Sequence, residues 1–389
     1  MFRSFLILST ALGLSLSACS AKPSAETASS TQTESAAPVL STAVVDTAKL
    51  KTQTIAVGFK APWGLALLPD GGYIVTEKMG GIIRVAADGT KTPLSGVPDS
   101  YQARQGGLMD IVLSPNYAAD STVYVSYAYG DSRANGTAIF KAVLGEDSLS
   151  GETIFKTSPP KDTANHYGAK LAFMPDGNVL LSMGEGYSYR EQAQDLDNHF
   201  GKLLRLTPEG KAAPGNPFIG KDGALPEIYS YGHRNPQGLI YDAASGTIWM
   251  HEHGPKGGDE LNRIKAGDNY GWPVATFGID YSGAQISPFE TYEGMTDSIY
   301  YWKPSIAPSG MAMVRGDMFA DWSGDLLVGG LASRDLRRVK MDGGRAVSET
   351  ILLDDLGLRI RDVRVGPDGA IYVLTDEKSD GKLIRVTPQ

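Results

Sequence analysis

One short unit recurs six times along the chain: an apolar strand, a tight turn of the Pro-Asp-Gly type, and a second apolar strand. It reads Leu65-Ala-Leu-Leu-Pro-Asp-Gly-Gly-Tyr-Ile-Val-Thr76, then Asp110-Ile-Val-Leu-Ser-Pro-Asn-Tyr117 continuing to Val123-Tyr-Val-Ser-Tyr127. Further copies are Leu171-Ala-Phe-Met-Pro-Asp-Gly-Asn-Val-Leu-Leu-Ser182 and Leu239-Ile-Tyr-Asp-Ala-Ala-Ser-Gly-Thr-Ile-Trp-Met250. Met318-Phe-Ala-Asp-Trp-Ser-Gly-Asp-Leu-Leu-Val328 is a degenerate fifth copy, and Val363-Arg-Val-Gly-Pro-Asp-Gly-Ala-Ile-Tyr-Val-Leu374 is the sixth. A third strand follows several of them, as in Ile82-Ile-Arg-Val85, Leu203-Leu-Arg-Leu206 and Leu383-Ile-Arg-Val386. Asp-Gly between two apolar runs is a strong hairpin signal. A repeated hairpin cannot bury both its faces alone and must stack on its neighbours. Six units of about 55 residues fit a six-bladed, all-β propeller; a sandwich offers no reason for the count of six. The segment Thr52 to Val57 is expected to close the ring as the outer strand of the last blade.

The residues before that ring form a different kind of sequence. Arg3 supplies a positive start and Phe5 to Leu16 a short apolar run, well under the ~20 residues a membrane-spanning helix needs. Leu16-Ser17-Ala18-Cys19 resembles the lipobox of bacterial lipoproteins, in which Cys19, the only cysteine of the chain, becomes the lipidated first residue. Ser20 rather than Asp follows, so outer-membrane display facing the periplasm is the expected address. Residues 1–18 then read as a signal peptide and residues 19–50, rich in Ser, Thr and Ala without aromatics from Ala21 on, as a disordered tether. Residues 51–389 are the propeller.

Composition narrows the function. The 389-residue chain carries a net charge of −8, which argues against nucleic acid as partner. A single cysteine excludes a disulfide scaffold and a cysteine-clustered zinc site. There is no Gly-x-Ser-x-Gly elbow, phosphate-binding Gly-Lys loop or EF-hand spacing. Gly184-Glu-Gly186 lacks the third glycine of a dinucleotide site and falls among strands.

Positions that flank an antiparallel pair lie at its open end, opposite the turn. In a propeller these slots share one rim. Gln105 precedes the second-blade strand; His166 precedes the third and Glu185 follows its partner; Arg234 and Asn235 precede the fourth, and His253, Gly254 and Pro255 follow it. Ala307-Pro-Ser-Gly310 precedes the fifth strand, and Arg359 and Arg361 the sixth. Arginines suit an anionic ligand. His166 is the candidate general base, with Glu185 placed to orient it. A second cluster, Gly254-Pro-Lys-Gly-Gly-Asp-Glu260 with Tyr270 and Asp280 downstream, offers hard oxygen ligands suited to Ca²⁺.

At these residues the chain resembles the soluble quinoprotein glucose/sorbosone and aldose sugar dehydrogenases. The matching strings are Gln105-Gly-Gly-Leu108, His166-Tyr-Gly168, Ala193-Gln-Asp-Leu196, Gly232-His-Arg-Asn-Pro-Gln-Gly-Leu239 and His253-Gly-Pro255 leading to Asp259-Glu260. Asn269-Tyr-Gly-Trp-Pro273, Pro304-Ser-Ile-Ala-Pro-Ser-Gly310 and Arg359-Ile-Arg-Asp-Val363 complete the set. The resemblance implies a propeller that uses pyrroloquinoline quinone and Ca²⁺ to oxidise aldoses at the anomeric carbon. It gives His166 the role of base, and gives Gln105, His166, Arg234, Asn235, Arg359 and Arg361 contacts to the cofactor. Gly254 and Pro255 would offer carbonyls to a Ca²⁺ that polarises the quinone, and Glu260, Tyr270 and Asp280 would form a second, structural Ca²⁺ site. A sugar and an unidentified electron acceptor are the implied partners, the membrane is reached only through Cys19, and monomer and homodimer both stay open.

Two departures stand out. Glu185 replaces the usual Asp, and Ala332 in Gly330-Leu-Ala-Ser-Arg334 stands where many members carry a cofactor-contacting Lys, with Arg334 the nearest substitute. Two other readings remain: a Ca²⁺-dependent propeller lactonase, which needs carboxylates and Asn in the central channel, and a non-catalytic quinone- or sugar-binding lipoprotein.

Overall fold

The computed structural model describes residues 44–45 and 50–389; the expected signal peptide, Cys19 and most of the tether lie outside the described residues. Six antiparallel sheets follow one another in the chain. The first two blades comprise Pro62–Leu67, Tyr73–Glu77, Gly81–Val85 and Lys91–Pro93, then Leu108–Leu113, Thr122–Gly130, Asn135–Leu144 and Leu149–Lys156. The third runs Leu171–Phe173, Val179–Ser182, Lys202–Leu206 and Ile228–Tyr231; the fourth Pro236–Asp242, Thr247–Glu252, Asp259–Ile264 and Tyr300–Trp302. The fifth holds Pro308–Met313, Leu326–Gly330, Leu336–Asp342 and Arg345–Leu352, with Val44–Val45 added in parallel at its outer edge.

The sixth blade starts with Ile360–Val365, Ile371–Thr375 and Gly381–Pro388, and its outer strand is Leu50–Phe59 from the other end of the propeller. Thr52 pairs with Val386 and Thr54 with Ile384. The ring closes as the sequence predicts, by a strand that ties the two ends together.

The strands read as near-continuous apolar runs because each sheet is packed on both faces. Successive residues of a strand point to opposite faces, and here each face meets a neighbouring blade. Ile74 packs with Val123 and Val125 of blade 2, whereas Val75 packs with Leu374 of blade 6. Tyr124 and Ile139 face Leu181 of blade 3, and Leu180 faces Met250 of blade 4. Trp249 meets Val328 of blade 5, and Leu327 meets Val373 of blade 6. Among the described residues an apolar cluster thus fills each space between adjacent blades, and a smaller one holds Trp63, Met109, Ala128, Tyr167 and Ala169.

A compact charge network ties the inner strands together. Lys170 donates to Asp362 Oδ1 at 2.9 Å and lies 3.4 Å from Asp110 Oδ1, while Arg364 reaches Asp110 at 2.8 Å and Asp362 at 3.0 Å. The second oxygens accept backbone amides, Leu65 N on Asp362 and Leu171 N on Asp110, both at 3.0 Å. Two cations and two carboxylates from blades 2, 3 and 6, with amides of blades 1 and 3, therefore satisfy one another. A lone buried charge would be costly; a hydrogen-bonded set of four is tolerated.

Candidate active site

The open-end positions of the hairpins do converge. A cavity of about 320 Å³ is lined by Trp63, Lys78, Gln105, Asn235, His253, Arg359 and Arg361, among others. Its charge is unbalanced. Arg359 grips Asp376 Oδ2 through Nε (2.9 Å) and Nη2 (2.7 Å), and Arg361 Nη2 lies 3.2 Å from Asp376 Oδ1. Burial alone would raise the Asp376 pKa, but Arg361 and Arg359 outweigh it and hold the carboxyl below its usual range. One carboxylate thus serves two arginines, and Lys78 is a third cation on the same wall. Burial, then Arg361, push the Lys78 pKa down, with Asp376 opposing. The floor is aromatic: Trp63 is buried, with the Lys170 ammonium 4.5 Å and the Arg361 guanidinium 5.9 Å from its ring centroid.

His166 stands beside this cavity in a left-handed backbone conformation (φ 49°). Its amide donates to Gln105 Oε1 at 2.7 Å, and the residues after it, Tyr167 and Gly168, line the cavity. Asn235 Oδ1 in turn accepts the Gly168 amide at 3.3 Å. The His166 ring pairs through Nδ1 with Glu185 Oε1 at 3.0 Å. Burial lowers its pKa, partly offset by the Glu185 hydrogen bond, while Arg234 and Lys161 push it further down. The imidazole is therefore neutral at neutral pH. With Nδ1–H directed to the carboxylate, the lone pair sits on Nε2, which has no protein partner among the described residues.

Blade 4 repeats this pair and disarms it. His233 and Glu252 stand 19 residues apart, as His166 and Glu185 do, and meet at 3.0 Å through the same atoms. Here Nε2 bonds to Ser230 Oγ at 2.9 Å, the ring stacks on Tyr270, and no part of the side chain is exposed. Of these two histidines, only His166 keeps a free nitrogen.

A second cavity of about 280 Å³ is lined by Glu185, Tyr187, Arg190, Arg234, Pro255, Trp272, Asp280 and Tyr281, among others. Tyr187 meets the His166 ring edge to face at 5.2 Å. The residues that follow His166 thus line the cation-rich cavity, and its ring partners Glu185 and Tyr187 line the aromatic one.

Several of the groups expected to hold Ca²⁺ have protein partners in this structure. The Gly254 carbonyl accepts the Arg234 guanidinium at 2.6 Å and the His253 carbonyl does so at 2.9 Å, so Arg234 occupies the oxygen assigned to a cation. Glu260 sits among Glu252, Asp259 and Asp297; burial, and then Glu252, raise its pKa well above the ordinary value. Tyr270 Oη donates to the Arg263 carbonyl at 2.8 Å and accepts the Lys265 amide, while Asp280 caps a surface turn through Ser282. Among the described residues no three His, Cys, Asp or Glu side chains converge on a metal-sized point. Asp259, inside the same motif, is a staple: it accepts the amides of Gly254, Ile306 and Ala307 and the Ser305 hydroxyl.

Arg334 does not replace the missing Lys. It is exposed and donates to the Gly357 carbonyl at 2.9 Å, and Leu331 rather than Ala332 lines the cavity. The cation that does line it, Lys78, follows the second strand of blade 1 at its open end, as Glu185 follows that of blade 3. Its position was the readable signal.

A propeller whose rim joins an anion-attracting cavity to a neutral, carboxylate-oriented histidine is arranged for proton abstraction beside a bound anionic group. Residues 59–385 match the glucose/sorbosone dehydrogenase family, and the chain belongs to it as an oxidoreductase. It is 44% identical over 336 residues to the aldose sugar dehydrogenase YliI of Escherichia coli, spanning 84% of this chain and 90% of that one. An uncharacterised Synechocystis protein, slr1608, is 38% identical over 98% of both chains. The PQQ-bound aldose sugar dehydrogenase of Streptomyces coelicolor superposes with a TM-score of 0.72 at 32% identity, covering 87% of this chain and 99% of that chain.

Proposed function

We propose that this protein oxidises aldose sugars at the anomeric carbon with pyrroloquinoline quinone held in the cation-rich cavity. The observation that carries the proposal is a cavity with two more cations than carboxylates, lined by the Tyr167 and Gly168 that directly follow His166, whose Nε2 has no protein partner among the described residues. The donor set suits the group: Arg359, Arg361 and Lys78 for its carboxylates, Gln105 and Asn235 for its polar edge, and Trp63 beneath a planar ring system. When bound, the quinone supplies the two-electron acceptor for the anomeric hydride.

The chain's own part is positioning and proton transfer. Glu185 fixes the tautomer and ring plane of His166. His166 Nε2 takes the proton of the anomeric hydroxyl, so that the C–O bond becomes a carbonyl as the anomeric hydride leaves. Burial keeps the imidazole neutral and ready to accept it. Tyr187, Tyr281 and Trp272 offer the sugar apolar faces in the second cavity, which Arg234 also lines. No step is assigned to Ca²⁺, because the Gly254 carbonyl accepts Arg234.

The lactonase alternative needs channel carboxylates free for a cation. Asp110 and Asp362 are instead consumed by Lys170 and Arg364, which favours the dehydrogenase. The envelope address through lipidated Cys19 belongs to the proposal as a sequence reading, and a separate acceptor must reoxidise the quinone. Absorbance titration of the quinone into the protein, followed by dye-coupled turnover of aldoses beside a lactone-hydrolysis assay, tests the reading. Lactone hydrolysis without quinone binding would replace it.

A further inference from the structure

Behind the His166–Glu185 pair lies a lysine that the reaction as written does not use. Lys161 is 2% exposed and forms no ion pair among the described residues. Its ammonium donates to the carbonyls of Thr163 and Asn165, both at 2.7 Å, and rests 3.6 Å from the centroid of the Tyr167 ring. One side chain therefore holds the turn entering His166 and the residue leaving it.

Its own backbone is fixed, since Lys161 and Asn135 exchange N–H···O bonds at 2.8 Å in both directions, and Tyr167 Oη bonds Asn135 Oδ1 at 2.7 Å. Room for the stem comes from Gly186, next to Glu185: a Cβ there would lie 2.8 Å from Lys161 Cδ. The Gly186 amide reaches the His166 carbonyl at 3.3 Å, and its carbonyl accepts the Thr163 hydroxyl. Lysine, turn, histidine and glutamate are thus one interlocked unit.

We propose that Lys161 is a positioning residue whose charge sets the proton affinity of the His166–Glu185 pair. The inference rests on the reading of His166 as the base. Capping two carbonyls requires only a neutral donor; burying a cation for that purpose is costly unless the charge serves another end. That charge lies behind Glu185, one of whose oxygens, Oε2, is buried without a partner, and it opposes protonation of the imidazole. The other groups facing His166 are Glu185 and Tyr187 from the end of the third-blade hairpin, and Arg234 and His253 from blade 4. Glu185 alone stabilises imidazolium, so the two cations Lys161 and Arg234 oppose it from separate elements. Burial brings the Lys161 pKa down to about 7, with Glu185 and Asp162 opposing, so its charge fades as pH rises through neutrality.

The test compares Lys161→Met, Lys161→Gln and Lys161→Arg in the quinone-loaded protein. Removing a cation eases imidazolium formation, so Met and Gln should move the acid limb of the kcat/KM profile up by roughly 0.5–1 pH unit, the scale of one screened neighbouring charge. Arg should leave the limb in place, and quinone affinity should be unchanged in all three. Imidazole NMR titration of the quinone-free protein, assigned with His166→Gln, should show the same upward shift for His166. Gln keeps a donor for the two carbonyls and covers the case in which Met does not fold. Uniformly lower activity with the limb and the imidazole titration unmoved would overturn the proposal. Full turnover by His166→Gln would overturn the base assignment instead, while the NMR shift would still report on Lys161.

Discussion

Lys78 is the sharpest probe of how this chain meets an anionic cofactor without the family's fifth-blade lysine. Its ammonium lines the cavity with Arg359 and Arg361 and donates to the Arg104 carbonyl at 2.8 Å, near the surface. Lys78→Met leaves no buried orphan, because that carbonyl is free to take water; the fold should be unaffected. A charge-assisted contact contributes about 1.5–3 kcal/mol when shielded from water, and half-exposure screens part of it. We expect a loss of about 1–1.5 kcal/mol, or roughly 5–12-fold weaker quinone binding. Arg334→Ala is the matched control: it removes a nearby cation that points away, and affinity should not change. Both affinities come from absorbance titration at fixed ionic strength, repeated at high salt, where the difference should shrink. Equal affinity of Lys78→Met and wild type, or a comparable loss in Arg334→Ala, would refute the assignment of the third cation.

Other outcomes follow from the same structure. Lys170→Met removes one cation from the buried four-charge network and should cost about 3–5 kcal/mol in denaturant unfolding, whereas Arg84→Met, whose partner Asp70 is largely exposed, should change stability little. His251 is fully buried with neither ring nitrogen bonded, packed on Gly238 where a Cβ would lie 2.1 Å from Nε2, and burial lowers its pKa to about 3. The unfolded state binds its proton first, so stability should fall as pH drops from 6.5 toward 3; His251→Leu should flatten that fall, read as Tm against pH. Cys19→Ser should abolish lipid labelling and release the protein from the membrane fraction of the expressing cell.

Much of this molecule was legible in its sequence, for an identifiable reason. Blades packed on both faces demand short, wholly apolar strands, and tight turns between them demand Asp-Gly, so each hairpin announced itself. Ring closure was readable because Thr52 to Val57 had no other partner. The outermost strands escaped notice: Lys91–Pro93 and Tyr300–Trp302 are three residues long and carry no periodicity. The central charge network was hidden too, since Asp110 is a single charged letter inside an apolar run and its partners Lys170 and Arg364 come from other blades.

At the site, counting from hairpin ends brought Gln105, His166, Glu185, Asn235, Arg359 and Arg361 together. The same count could not separate His166 from His233; the difference is the Ser230 hydroxyl that takes one nitrogen and leaves the other pair free. Nor could it see that Arg234 would fold onto the Gly254 carbonyl, because that contact depends on a rotamer rather than a spacing. Lys78 and Lys161 were missed because isolated lysines ordinarily belong to solvated surfaces.

The central claim is that His166 takes the anomeric proton while a quinone bound beside it takes the hydride. Single-turnover reduction of the bound quinone by an aldose, followed by absorbance in wild type and His166→Gln, tests it most directly. Wild type should reduce the quinone stoichiometrically, more slowly when the anomeric hydrogen is deuterium, and His166→Gln should do so at least about 100-fold more slowly at unchanged quinone affinity. Reduction by His166→Gln at the wild-type rate, or no quinone binding to either protein, would contradict it.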